Sequence, residues 1–160
     1  MSAFAFTTDG FPDGSGTNAV NQNRQVERLY CTAAVTAGDW IAEYASDTTN
    51  PAGKTGESYR TADSDNADAL SGTVGVAAET TTAAGYAAVY VRGRVTGANV
   101  ESGAAVAIGD DLVIGSTAGR AIEIDRTSAP IYTERIIGRC LSTPSSNTAD
   151  VEIYPHPKFA

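Results

Sequence analysis

The stretch YAAVYVRGRVTG, residues 86–97, indicates the fold class, because large and small side chains alternate along it in steps of two. This alternation is typical of a β-strand with one face in a hydrophobic core. It predicts that Val89, Val91 and Val95 lie on one face. Gly93 interrupts the pattern and predicts a β-bulge.

The rest of the chain supports an all-β fold. Twelve Val, nine Ile and nineteen Thr stand against four Leu and one Met, a composition that favours strands. Residues 26–45 predict two strands, the second with Trp40 in the core. Residues 73–154 predict a series of short strands, about ten residues apart and separated by turn signals, as in a small β-barrel or β-sandwich.

Two polar segments divide the 160 residues. Residues 1–24 contain three Phe and a cluster of turn residues, and have the composition of either a disordered tail or an extended N-terminal arm. Residues 25–160 are predicted to form a single β domain. Within it, residues 46–71 have few apolar side chains and predict a long surface loop.

The charge of the chain argues against two classes of partner. Eleven Lys and Arg face nineteen Asp and Glu, which gives a net charge of −8. Nucleic acids and anionic membranes both require basic surface, so we expect neither as a partner. The opening residues lack the basic and apolar regions of a signal peptide, which predicts synthesis in the cytoplasm.

No motif for catalysis, a cofactor or a metal is found. The one His, His156, lies between two prolines near the C-terminus. Cys31 and Cys140 fall in predicted strands, where they could pair, although a cytoplasmic origin favours free thiols. The GKT at residues 53–55 lacks the first Gly of a phosphate loop, and the acidic residues 63–69 lack the Gly and Glu of a calcium loop. We therefore predict a protein that is not an enzyme and binds no cofactor.

The order of several short motifs resembles that of the small β-barrel decoration (cement) proteins of tailed-bacteriophage capsids. These motifs combine Gly turns with Val/Ile strands and cover about half the chain. They are VTAGD (35–39), GTVGVA (72–77), TAAG (82–85), RGRV (92–95), IGDDL (108–112), IIGRCL (136–141) and ADVEI (149–153).

The resemblance implies a non-enzymatic protein, often a homotrimer, that binds the major capsid protein on the outer surface of a phage head, between capsomers, and stabilises the shell. The leader and residues 46–71 depart from the family pattern. From the residue types, we expect contact with the capsid or a neighbouring subunit through the aromatic side chains of the leader and a set of arginines. These residues are Phe4, Phe6, Phe11, Arg92, Arg94, Arg135 and Arg139.

The alternative function is that of a carbohydrate-binding or adhesive β-module on a virion or cell surface, since one fold serves many functions. Such a module needs a cluster of exposed aromatic side chains. Five tyrosines are candidates for this cluster, and their spread along the sequence predicts no platform. They are Tyr59, Tyr86, Tyr90, Tyr132 and Tyr154.

Overall fold

The computed structural model of the chain describes residues 24–43, 59–62, 73–101, 106–124 and 136–154. These residues form strands, turns and bends without any helix, so none contributes a helix that could cross a membrane. The strands are β1 (Gln25–Cys31), β2 (Trp40–Glu43), β3 (Tyr59–Thr61), β4 (Thr73–Ala77), β5 (Gly85–Asn99), β6 (Asp111–Ile114), β7 (Ala121–Glu123), β8 (Gly138–Cys140) and β9 (Thr148–Ile153).

Five of these strands close into a barrel in the order β1-β3-β2-β4-β5, with β5 pairing back to β1. The closing pair is antiparallel and runs from Gln25 opposite Arg92 to Cys31 opposite Gly85. Closure leaves no free edge around the ring. The prediction of an all-β fold is confirmed, and its architecture is the barrel.

The long strand β5 belongs to two sheets. Its first part closes the barrel, and its second part pairs with β9, which continues through β8 and β6 to β7. The backbone takes positive φ angles at Gly93 and Gly97, and the register with β9 shifts between Val95 and Ala98. Glycine tolerates positive φ because it has no Cβ. The chain thus leaves the barrel near the glycine that the sequence marked as a break.

Two hydrophobic clusters follow from this division. The first fills the barrel, with Leu29, Cys31, Val35, Ile41, Tyr59, Ala77, Ala87 and Val89. The second lies between the outside of the barrel and the second sheet, with Trp40 and Val76 on one side and residues such as Leu112 and Val151 on the other. The prediction that Trp40 is a core residue is confirmed, since its exposed fraction is 0%.

The three valines predicted to share a face divide between the two clusters. Val89 lies in the barrel cluster and Val91 packs against it, whereas Val95 belongs to the second cluster. The prediction was wrong for Val95. A period of two extrapolates a strand as if it stayed in one sheet, while the backbone of this strand changes sheets around Gly93.

Strand β3 corrects the interpretation of residues 46–71 as a surface loop alone. Tyr59–Thr61 pairs with both β1 and β2, and Tyr59 and the following Ala62 are buried. Three residues between polar neighbours are too few to show an alternation. The rest of that segment, the arm 1–24 except Arg24, and the tail with His156 lie outside the described residues.

Candidate protein-interaction surfaces

A polar junction fixes the barrel to the second sheet. Asp39, the last residue of VTAGD, accepts a hydrogen bond from the Thr36 backbone N–H and another from the Asn99 Nδ2, each at 2.9 Å. The Asn99 backbone N–H donates to the Gly38 carbonyl at 2.9 Å, and Trp40 Nε1 donates to the Asn99 carbonyl at 3.0 Å. Because these bonds connect the start of β2 with the end of β5, they hold the two regions as one body.

Glycines of the resemblance motifs occupy places where backbones meet. A Cβ at Gly75 would meet the backbone oxygen of Tyr90, and a Cβ at Gly138 would meet the backbone oxygen of Glu152. Gly109 has a φ of 94° in the turn before β6, where the Ala107 N–H donates to Asp110 Oδ2. The Gly turns of the sequence therefore have structural roles at these positions.

The exposed face of the second sheet carries a row of alternating charges, which we call the charged row. Arg94 on β5 lies opposite Glu152 on β9, Glu152 lies opposite Arg139 on β8, and Arg139 lies opposite Asp111 on β6. Arg94 also forms an ion pair with Asp150, with 2.9 Å between Nη2 and Oδ2. Opposite charges on neighbouring strands each contribute up to about 1 kcal/mol, so the row helps to hold this sheet.

The arginines expected from the sequence to make contacts are only partly brought together. Arg94 and Arg139 both belong to the charged row, and Arg139 Nε donates to the Gly109 carbonyl at 2.9 Å. Arg92 is exposed and lies opposite Gln25, at the barrel end of β5. Arg135 and the three Phe of the leader lie outside the described residues, so their predicted contacts remain predictions.

A second surface, which the sequence analysis missed, covers the outer side of the β1–β5 pair. Val26 lies opposite Tyr90, and Tyr30 lies opposite Tyr86. The rings of Tyr30 and Tyr86 meet edge to face, with centroids 5.5 Å apart. Val26 and Tyr86 are each 50% exposed. We call these four residues the tyrosine face.

Arginines border the tyrosine face. The Arg24 guanidinium lies over the Tyr90 ring, 5.6 Å from its centroid, as in a cation–π contact. Arg28 Nη2 donates to the Tyr86 carbonyl at 3.1 Å, while its Nη1 lies 3.4 Å from Glu79 Oε1. Arg92 follows Tyr90 by two residues on the same strand. An aromatic patch with arginines is the composition that distinguishes protein interfaces from other surfaces.

The tyrosines considered for a platform do not all behave as predicted. Tyr86 and Tyr90 come together with Tyr30, whereas Tyr59 is buried in the barrel and Tyr154 follows β9 in the second sheet. Tyr132 lies outside the described residues. The alternation within β1 and within β5 was visible in the sequence, but the pairing between these strands, some sixty positions apart, was not.

Both cysteines are buried and free. Burial raises the pKa of the Cys31 thiol to about 11. Burial also raises the pKa of Cys140, assisted by the charges of Asp110 and Asp150, while a hydrogen bond with the Ser142 backbone opposes the shift. Thiols with raised pKa values stay protonated near neutral pH and are poor nucleophiles.

Among the described residues, no group of three or more His, Cys, Asp or Glu side chains is placed to hold a metal ion. No protein-family model matches the chain, and no curated protein matches it. The charged row and the tyrosine face are the candidate interaction surfaces in the described part of the chain.

Proposed function

We propose that this protein is a non-enzymatic decoration (cement) protein of a tailed-phage capsid. In this role it binds the major capsid protein on the outside of the head, between capsomers, and stabilises the shell. The observation that carries the proposal is the closed five-strand barrel, in which Gly75 of GTVGVA and the Gly38–Asp39 turn of VTAGD make the close contacts. These motifs are among those that resemble the decoration proteins.

The rigidity of the fold suits this role. The barrel has no free edge around its ring, and the junction at Asp39 and Asn99 binds the second sheet to it. A rigid small body can fill the space between capsomers without losing conformational entropy on binding. Many copies on one shell then add their separate contacts.

Assembly as a homotrimer is part of the proposal. A closed three-fold arrangement matches the local symmetry of positions between capsomers. The leader, with Phe4, Phe6 and Phe11, supplies an arm that reaches the capsid or a neighbouring subunit. The net charge of −8 per chain keeps decorated particles from associating with one another.

The proposal is tested with empty heads assembled from the major capsid protein encoded in the same genome. We expect the purified protein to co-sediment with these heads at saturating, symmetry-related stoichiometry. Heads filled with DNA should release it at a higher temperature when they carry the protein. Equal release temperatures with and without bound protein would contradict the cementing role.

One observation favours the alternative of a carbohydrate-binding module, namely the tyrosine face, because sugar rings stack on exposed aromatic side chains. The polar groups around that face include Arg24 and Arg28, and the guanidinium of Arg28 is engaged by Glu79 and the Tyr86 carbonyl. A glycan array separates the two functions. Specific glycan binding without binding to heads would favour the module.

A further inference from the structure

We propose that the tyrosine face is the surface of the barrel that docks on the shell, and that its partner is a protein surface with an apolar centre and an acidic rim. This inference rests on the proposed function and names the contact through which it acts. It keeps Arg92 from the contact residues expected from the sequence, and it differs from that expectation in placing the contact on the tyrosine face and not at Arg94 and Arg139 on the second sheet.

The composition of the face supports docking to protein. Val26 and Tyr86 each leave half of their surface exposed, and they lie near opposite ends of the β1–β5 pair, so that apolar surface is exposed along its length. Tyr and Arg dominate the energetically important positions of protein interfaces. A rigid pair such as Tyr30 and Tyr86, whose rings already contact each other at 5.5 Å, loses little side-chain entropy on binding.

The position of the face on the barrel explains why it is open. The second sheet covers the outside of the barrel where Trp40, Ala42 and Val76 lie, on β2 and β4. Strand β1 lies around the ring from these strands, and its outward residues Val26 and Arg28 are exposed. The inner residues of the same strand, Leu29 and Cys31, are buried in the barrel. Tyr90 packs against the second cluster, at the border of the covered area, whereas Val26 and Arg28 stay exposed in the described part of the chain.

Charge complementarity defines the partner. Arg24 and Arg28 lie on or beside this face, and Arg92 lies at its end, opposite Gln25, in a chain whose net charge is −8. Among the described residues, Glu79 forms an ion pair with Arg28, at 3.4 Å. A partner with carboxylates around an apolar centre would pair with the remaining guanidinium groups, which form directional bonds to carboxylates.

The start of the barrel strand connects this face to the arm. Arg24, whose guanidinium lies over Tyr90, directly follows residues 1–23 in the chain. The proposed arm therefore joins the barrel at the tyrosine face. An arm and a face that meet at one place can engage the same partner, and each then raises the effective concentration of the other.

The test measures binding to the heads described above with two exposed substitutions on the face, Val26→Glu and Arg92→Glu. Both side chains are exposed, so the barrel should fold. We expect each variant to bind at least tenfold more weakly, because each places a carboxylate against an acidic rim. Arg92→Glu should also reduce the salt dependence of binding.

Two matched controls keep the test specific. Ile108→Glu changes another exposed apolar residue, 63% exposed in the turn before β6, by the same charge as Val26→Glu. Arg120→Glu in the turn before β7 makes the same charge change as Arg92→Glu, at a side chain that is partly buried. Both controls should bind heads like the wild type, and circular dichroism should give the same β signal for all four variants.

The outcomes separate this inference from the proposed function. If the wild type binds heads and the two face variants bind as tightly, the docking face is wrong while the cementing role stands. If the wild type fails to bind heads, both are overturned. If the face variants keep head binding but dissociate a trimer, or lose binding to a glycan, the occupant is a second copy or a carbohydrate, and the inference is again wrong.

Discussion

The barrel and the second sheet bury their apolar side chains in different ways. The barrel closes through β1 and β5, which pair along the whole length of β1, and it encloses its own cluster of buried residues. The second sheet is joined around its far side by a bridge between Val100 and Ala121 and by single backbone hydrogen bonds that connect Gly119 with Trp40 and Ala62, not by a continuous strand pair among the described residues. Its cluster uses the outside of the barrel as one wall.

This difference implies a hierarchy of stability. The barrel can lose the second sheet and still keep an enclosed core, whereas the second sheet has no closed core without Trp40, Ala42 and Val76 of the barrel. Trp40, Ala42 and Val76 form a wall that the barrel shares with the second sheet. Substitutions at this shared wall should therefore destabilise the second sheet more than the barrel, whereas substitutions inside the ring should destabilise the whole molecule. Substitutions on either side of this division test it.

The largest effect is expected at Trp40, the shared side chain. Trp40→Ala removes the largest fully buried side chain and the hydrogen bond from Nε1 to the Asn99 carbonyl. The free energy of unfolding should fall by about 3–5 kcal/mol, measured by urea denaturation. The second sheet should lose amide protection before the barrel does.

Trp40→Phe is the matched control, because it keeps an aromatic ring in the cluster and loses only the indole N–H and part of the volume. It should cost less than half as much as Trp40→Ala. If Trp40→Ala lowers the free energy of unfolding by less than about 1 kcal/mol, the outside of the barrel does not serve as a wall of the second cluster.

Much of this organisation was predictable from local patterns. The alternation in residues 86–97 and the β-branched composition predicted the strands, and Trp40 was predicted in the core. Strand β3 was missed because three residues cannot show a period of two, and its two partners supply the pairing that holds it. Local patterns report a strand's own faces, and they do not report which strand lies beside it.

The candidate interaction surfaces show the same limit. Tyr86 and Tyr90 were noted in the sequence, but Tyr30 was not grouped with them, because the register of β1 on β5 joins residues far apart in the chain. Arg94 and Arg139 were grouped by residue type alone, and the structure gives both of them acidic neighbours across strands. Residue types thus identified several members of each surface without identifying the surfaces.

The next largest effect is a loss of stability that we expect at one of two glycines of the barrel and not at the other. A Cβ at Gly75 on β4 would meet the backbone oxygen of Tyr90, so Gly75→Ala must push β4 away from β5 and strain the ring. We expect a loss of about 2–3 kcal/mol. Gly85→Ala is the matched control, since no atom lies within 4 Å of its added Cβ. It should be neutral or stabilise by about 0.5 kcal/mol, through the unfolded chain. Equal thermal midpoints for the two variants would contradict the close approach of β4 and β5.

The smallest expected effect is the difference between the thiols of the two clusters in how they make the free energy of unfolding depend on pH. Burial in the barrel raises the pKa of Cys31 from 9.0 to about 11. Below the ordinary value both the folded and unfolded chains keep the proton, so this thiol adds no pH dependence there. Between the two values the unfolded chain loses its proton and the folded chain does not, so the free energy of unfolding falls as the pH rises, by roughly 3 kcal/mol in total. Cys31→Ala should remove this part of the alkaline slope.

Cys140→Ala provides the comparison in the second cluster, where the pKa is also raised but a hydrogen bond with the Ser142 backbone opposes the effect of burial. The slope of the free energy of unfolding against pH should therefore change less in Cys140→Ala than in Cys31→Ala. Tyrosine ionisation contributes to both variants and cancels in the difference. The measurement is urea denaturation at several pH values between neutral and strongly alkaline. An equal or larger change for Cys140→Ala would mean that the barrel interior is no better shielded from water than the space between the barrel and the second sheet.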